Sequence, residues 1–209
     1  MSNIKIGRMV VGPVQTNCYY VLNEDTKEAV VIDPADKGDR IYEEITKRGM
    51  TIRGILLTHG HFDHVMGLDS LRKAADVKAY IGEGDAALIE SADLNVSHMF
   101  GMPFRTKADE TVKDGQVLEM AGMKIKVIGT PGHTAGGVSY YFEEAGIVVS
   151  GDTLFSESVG RTDFPTSSSA KLRESIKEKL FALPEDVYVY PGHGPVTTIE
   201  HEKANNPFV

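Results

Sequence analysis

Apolar positions along the chain keep two different rhythms, one of strands and one of helices. The runs IKIGRMVVG (4–12), NCYYVL (17–22) and EAVVID (28–33) are rich in β-branched and aromatic residues with turn residues between them, and read as successive strands. Past Pro34, Ile41 and Ile45 stand four apart in DKGDRIYEEITKRG, which predicts a helix ending at Gly49. IRGILLT (52–58) follows as a buried strand and delivers the chain to THGHFDH. VMGLDSLRKAA (65–75) predicts a helix with Met66, Leu68 and Leu71 as its apolar positions, VKAYIG (77–82) a strand, and Glu83 to Ala92 a further helix. Between Asn95 and Thr111 the stretch SHMFGMPF is apolar but carries Gly and Pro, and reads as a loop near a site.

The second half repeats the theme. QVLEM, MKIKVIG, GVSYYF and GIVVS predict strands, and DVYVY (186–190) the last one. Between them SSSAKLRESIKEKLFAL (167–183) predicts an amphipathic helix with a Ser-rich N-cap and a stripe of Leu172, Ile176, Leu180 and Leu183. Two halves that each offer strands and then helices, packed sheet on sheet with the helices outside, give an αββα sandwich in the α/β class. No Pro/Gly/Ser linker divides them, so residues 1–209 are expected to form a single domain.

Composition narrows the function classes. The 209 residues are 41% hydrophobic and 25% charged, which suits a globular chain with a sizeable core. A net charge of −8 without a dense Lys/Arg cluster disfavours nucleic acid as a partner. Cys18 is the sole cysteine, which excludes an intrachain disulfide and any cysteine-rich metal site; it reads as a small buried hydrophobe. The opening MSNIKIGRMVVGPVQ lacks an apolar h-region and no run approaches the roughly 20 residues of a membrane span, so the expected location is the cytoplasm, without membrane attachment.

The chemistry concentrates in Thr58 to His64. His59, His61, Asp63 and His64 place three imidazoles and one carboxylate within six residues, directly after a buried strand. Such groups ligate zinc and similar divalent ions. His59 and His61 can share one metal while Asp63 and His64, beyond the turn, serve a second. His133 in TPGHT, Asp152 in SGDT and His193 in PGHG each follow a predicted strand and each have Gly beside them. A single histidine after a strand is ordinarily a polar surface or core residue; seven such ligand types in this order are not. Thr58, Thr130 and Thr134 flank the ligands and are candidates to hydrogen-bond them, with ordinary turn chemistry as the alternative. His98 and His201 fit no ligand position.

This pattern, His59-Gly-His61-Phe-Asp63-His64 followed by His133, Asp152 and His193, resembles the metallo-β-lactamase superfamily over nearly the whole chain. The resemblance implies a four-layer sandwich of two mixed sheets, a first metal on His59, His61 and His133, a second on Asp63, His64 and His193, and Asp152 bridging both. Zinc is the expected ion, with iron or manganese as alternatives. The β-lactamases of this fold usually carry a cysteine ligand or lack the full motif, and the nucleic-acid-processing branch has a large insertion where only 40 residues separate Asp152 from His193. GDTLF, GRTDFP and YPGHGPVTTIEHEKANNPF look most like the short, single-domain bacterial members of the glyoxalase II-like group, the hydroxyacylglutathione hydrolases. That implies hydrolysis of a small-molecule thioester such as S-lactoylglutathione, or an ester, by a hydroxide held between two metals roughly 3.5 Å apart. Asp63 would help orient the hydroxide and Asp152 set the metal spacing, as catalytic ligands. Arg161 and Asp163, near the family's thiol-binding positions, are candidate substrate contacts, with a structural ion pair as the alternative. GRTDF also occurs in iron-dependent persulfide dioxygenases of the superfamily; these, a lactone or ester hydrolase, and a non-enzymatic metal-binding module are the rival readings.

Overall fold

The computed structural model describes residues 3–209. Strands β1 (Ile4–Val11), β2 (Thr16–Asn23) and β3 (Glu28–Ile32) form an antiparallel meander. Helix α1 (Gly38–Lys47) then returns the chain so that β4 (Thr51–Leu57) runs parallel to β3. Two helices, α2 (Phe62–Val65) and α3 (Leu68–Ala75), lead to β5 (Ala79–Gly82), and β6 (Glu110–Val112) completes a sheet in the order β1-β2-β3-β4-β5-β6. In the second sheet β7 (Val117–Met120), β8 (Met123–Gly129), β9 (Val138–Phe142) and β10 (Ile147–Gly151) are successively antiparallel. A separate hairpin, β11 (Leu154–Phe155) with β12 (Ser158–Val159), and helix α4 (Ser169–Glu174) follow. β13 (Tyr188–Pro191) then lies parallel to β10, β14 (Thr197–Thr198) pairs with it, and α5 (Ile199–Asn205) is the last element. The order is β14-β13-β10-β9-β8-β7, so both sheets are mixed.

Period-two burial explains the layering. In β3, Val30 and Ile32 face the other sheet and join Tyr19, Val21, Val127, Tyr140 and Phe142 in the central core. Ala29 and Val31 point the opposite way, onto Ile41 and Ile45 of α1 and Leu68 and Leu71 of α3. On the far side Val148 and Val189 pack on Leu172, Ile176, Leu180 and Ile199. The result is helix, sheet, sheet, helix. Each of the Val, Leu, Ile and Phe side chains among these, buried as they are, contributes about 1.5–3 kcal/mol of transfer free energy.

Several elements depart from the sequence reading. Glu83–Ala92 is not one helix: a single 3₁₀ turn spans Glu83–Asp85, and turns follow. The Ile89 carbonyl accepts from the Thr106 N–H at 3.1 Å, which diverts it from a helical bond. Residues 95–109 are loop, as their Gly and Pro suggest, but Glu110–Val112 pairs as β6. The helix of 167–183 is regular only to Glu174 and then widens into π-type turns over Ser175–Leu180, where the Ser175 hydroxyl donates to the Pro131 carbonyl at 2.7 Å. Leu172, Ile176 and Leu180 are buried as the stripe requires, and Leu183 is half-buried at its edge.

Strands β4, β8, β10 and β13 all deliver their C-terminal ends to one edge of the sandwich. There the sheets are cross-linked: the Val138 N–H donates to the Thr58 carbonyl at 2.8 Å, the Tyr140 hydroxyl to the Leu57 carbonyl at 2.9 Å, and the Tyr19 hydroxyl to the Pro191 carbonyl at 2.8 Å.

Candidate metal centre

His59 and His61 follow β4, His133 follows β8, Asp152 follows β10 and His193 follows β13. His61 is still extended (φ −66°, ψ 147°) and α2 starts at Phe62. The chain therefore turns from strand to helix inside the motif, and Asp63 and His64 leave it in a different direction from His59 and His61. Tight backbone packing brings the loops together. At Gly192 a Cβ would run into the Asp152 carboxylate and lie 2.7 Å from His64 Cε1. Gly132, beside His133, has φ +145° and lies against the backbone of Leu172, so neither its conformation nor its space admits a side chain.

All seven side chains converge. His59, His61 and His133 form one group whose donor atoms lie within 4.8 Å of one another, and Asp63, His64 and His193 form another. Asp152 faces both: Oδ1 is 3.4 Å from His64 Nε2, and Oδ2 is 3.5 Å from His133 Nε2 and 3.6 Å from His193 Nε2. His193 Nε2 is 3.3 Å from Asp63 Oδ2.

Hydrogen bonds behind the cluster fix which ring nitrogens face inward. His64 Nδ1 donates to Asp33 Oδ2 at 2.9 Å, and His133 Nδ1 donates to the Arg161 carbonyl at 2.7 Å. Neither acceptor carries a proton to give, so in both rings Nδ1 holds a hydrogen and Nε2 is the nitrogen that faces the cluster. The Thr58 hydroxyl donates to Asp33 Oδ2 at 2.6 Å and sits 3.1 Å from His59 Nδ1, where it can accept. The Thr16 hydroxyl donates to Asp63 Oδ2 at 3.0 Å. A second buried carboxylate, Asp85, accepts from the Gly60 N–H, the Thr134 hydroxyl and the Gly136 N–H at 2.7–2.9 Å, tying the His61 loop to the His133 loop.

Whether the cluster suits a cation can be read from its unsatisfied atoms. Among the described residues, His59 Nε2, His61 Nε2, His64 Nε2 and Asp152 Oδ1 are buried without a hydrogen-bond partner. Orphaned polar atoms cost about 1–3 kcal/mol each, so four in one place call for a shared positive ligand. The electrostatics agree. Burial, with His64 and the other imidazoles, holds His59 far below the usual histidine range, and burial with His133 brings His61 down to about 3. Both are neutral at pH 7, as ligation requires. Burial opposes a charge on His64, yet Asp63, Asp152 and Asp33 outweigh it and raise its pKa well above normal. Burial likewise opposes ionisation of Asp63 and Asp152, but His64 and the other imidazoles keep both below the usual carboxylate range. The carboxylates thus hold positive charge in a buried site, the place a divalent cation would take. An N/O donor set of this kind fits zinc, iron or manganese.

Above the cluster opens a cleft of about 330 Å³, lined chiefly by apolar side chains and by Arg161. Asp163 is not on its wall; both its oxygens accept from Arg161, at 2.6 Å each, and the pair is exposed. Phe100, not His98, reaches the cleft: its ring lies 5.1 Å from Phe62, while His98 is exposed and paired with Asp93 at 2.7 Å. His201 pairs with Glu157 at 3.0 Å. Of the flanking threonines, Thr58 meets a ligand, Thr134 acts through Asp85, and Thr130 bonds Ser139 and Thr153 instead. Asp33 and Asp85 escape the sequence reading. The signal for Asp33 is its place at the end of a buried strand, one residue before Pro34; Asp85 has none beyond a Gly-flanked turn.

Comparison with known proteins is consistent along the chain. A family model described as metallo-beta-lactamase superfamily matches residues 11–193. The sequence is 38% identical over 208 residues to a Bacillus subtilis (strain 168) protein named probable metallo-hydrolase YqgX, covering 99% of this chain and 98% of that one. It is 34% identical over 214 residues to hydroxyacylglutathione hydrolase GloC of Haemophilus influenzae, covering 99% and 98%. The fold superposes on the crystal structure of BLEG-1 B3 metallo-beta-lactamase with a TM-score of 0.93 at 36% identity, covering 98% and 99%. TTHA1623 in a di-iron-bound form gives 0.87 at 36% identity, covering 97% and 100%.

Proposed function

This chain belongs to the metallo-β-lactamase superfamily and is a metallo-hydrolase of that family; from that premise we propose that it cleaves a thioester, with S-lactoylglutathione as the reference substrate, in the cytoplasm. The observation that carries the reading is the pair of three-residue ligand groups meeting at Asp152 beneath an open cleft. In this reading His59, His61 and His133 hold one divalent cation, Asp63, His64 and His193 a second, and Asp152 both. Two such ions supply a hydroxide nucleophile at neutral pH and a Lewis acid for a carbonyl oxygen.

The chain's own residues do the rest. Asp33 orients His64 through its ring proton and steadies Thr58 against His59. Asp63, held by the Thr16 hydroxyl, would orient the attacking hydroxide. A thiolate leaves without a strong general acid because the pKa of its thiol is near 8.5. The resemblance to GloC supports a thioester; the resemblance to a protein titled a B3 metallo-beta-lactamase makes a β-lactam a necessary comparison. A screen of metal-loaded protein on S-lactoylglutathione, other thioesters, lactones and a β-lactam tests the reading. Thioesters should lead by at least tenfold in kcat/KM; a lactone or β-lactam in first place would replace it.

A second reading, iron-dependent oxygenation of a persulfide, draws on the GRTDF stretch at 160–164, and the likeness to a di-iron-bound protein makes iron a metal to test. Thiol-dependent oxygen uptake by iron-loaded protein, without thioester hydrolysis, would favour it.

A further inference from the structure

The wall of the cleft is unusual in what it does not carry. Val14, Phe62, Phe100, Phe155, Val159 and Phe164 rise above the ligand cluster. Two of them stand in water at the rim: Val14 is 39% exposed and Phe100 46%. Among the described residues lining the cleft, Arg161 is the only one with a permanent positive charge. That charge is spoken for. Its Nε and Nη2 donate to the two oxygens of Asp163 at 2.6 Å, and its guanidinium lies 3.8 Å over the ring of Phe164. Phe164 in turn makes a T-shaped contact with His61, with ring centroids 5.5 Å apart. Arg161 therefore braces an aromatic wall rather than offering a free anion-binding group.

Glutathione carries two carboxylates and one ammonium at neutral pH, and this wall offers them no uncompensated charge. An apolar group would instead cover the rim side chains and remove their surface from water. We propose that the substrate is a thioester with an apolar, uncharged acyl group, aromatic or of medium chain length, carried on a thiol without charges near the sulfur. The proposal rests on the thioester reading above and names the member of that class the cleft prefers. A cleft of about 330 Å³ is at the small end of the range for ligand sites, enough for such a group beside the cluster.

The test is a matched series on metal-loaded protein: acetyl, butyryl, hexanoyl and phenylacetyl thioesters of neutral N-acetylcysteamine, and the same acyl groups on glutathione. kcat/KM should rise about fourfold per added methylene, the rate equivalent of about 0.8 kcal/mol. Glutathione should give no gain over the neutral thiol. Phe100→Ala should flatten the chain-length slope with metal content unchanged. Asp163→Asn, which frees Arg161, should raise the ratio of glutathione to neutral-thiol turnover several-fold. A flat slope in the wild type, a tenfold preference for glutathione thioesters, or an unchanged ratio in Asp163→Asn would overturn the proposal. If no thioester is turned over, the thioester reading fails by itself. The cleft is then read by calorimetric binding of hexanoate and phenylacetate against acetate: tighter binding of the larger acids upholds an apolar acyl site, and equal binding ends it.

Discussion

One carboxylate, Asp152, faces His64 from one oxygen and His133 and His193 from the other. Removing it takes a ligand from both ligand groups at once. Asp152→Ala is therefore expected to lose one metal per chain and nearly all turnover, measured by elemental analysis and kinetics on the same sample; full metal and activity would rule out a bridging role. Asp85 makes a different prediction, because it touches no reacting group. Burial raises its pKa, opposed by the Thr134 hydroxyl and the Gly60 and Gly136 N–H groups. Asp85→Ala leaves those three donors without their acceptor, and should lower the unfolding free energy by roughly 2–4 kcal/mol in denaturant titrations. The seven converging side chains are legible in the sequence because histidines and aspartates gathered at strand ends beside glycines seldom occur in this order unless they meet in space. Asp33 and Asp85 are not, because a single aspartate in VVIDP or GEGDA is indistinguishable from an ordinary turn residue until the folded chain shows what it accepts.

Among the elements, the β11–β12 hairpin matters most for the cleft, since Phe155 and Val159 form part of its wall. Helix α5 holds it from behind. Glu202, almost fully buried, accepts from the Glu157 N–H at 2.9 Å and the Asn206 amide at 2.8 Å, and from the Thr197 hydroxyl at 2.6 Å; Asn206 also donates to the Ser158 carbonyl at 3.0 Å. Glu202→Ala should raise KM more than it lowers kcat, leave metal content intact, and cost about 1–3 kcal/mol of stability. Loss of metal instead would place the effect on the cluster. Neither element is visible in the sequence. β11 and β12 have two residues each, too few for a period, and α5 presents one large apolar residue, Ile199, in a run of charged and polar ones. The longer strands are legible because their alternation spans both faces of a sheet. The expected helix at Glu83–Ala92 breaks into short turns: the Asp85 carbonyl still accepts from the Leu88 and Ile89 N–H groups, but the Ile89 carbonyl accepts from the Thr106 N–H of the following loop instead of continuing a helix.

For the molecule as a whole, two sheets cross-linked at one edge give a rigid frame from which loops reach the cluster. Carboxylates away from the cluster help hold it. Burial would raise Asp109, but the Ala79 N–H and Arg72 outweigh it; Asp114 is likewise held down by Lys179 and the Gly129 N–H. Their folded pKa values lie below the unfolded value of about 3.9, so the unfolded chain binds protons first as pH falls. Stability from these groups is present above about pH 4 and lost below it, and the Asp109→Asn, Asp114→Asn double variant should show a shallower acid loss in denaturant titrations. Among the described residues no helix is long and apolar enough to cross a membrane. The most direct test of the account is metal stoichiometry: protein loaded with zinc, desalted and assayed for bound metal and thioester hydrolysis together. Close to two equivalents per chain, with hydrolysis abolished by a chelator and restored by metal, is the predicted result; a folded, zinc-exposed sample retaining only trace metal would contradict it.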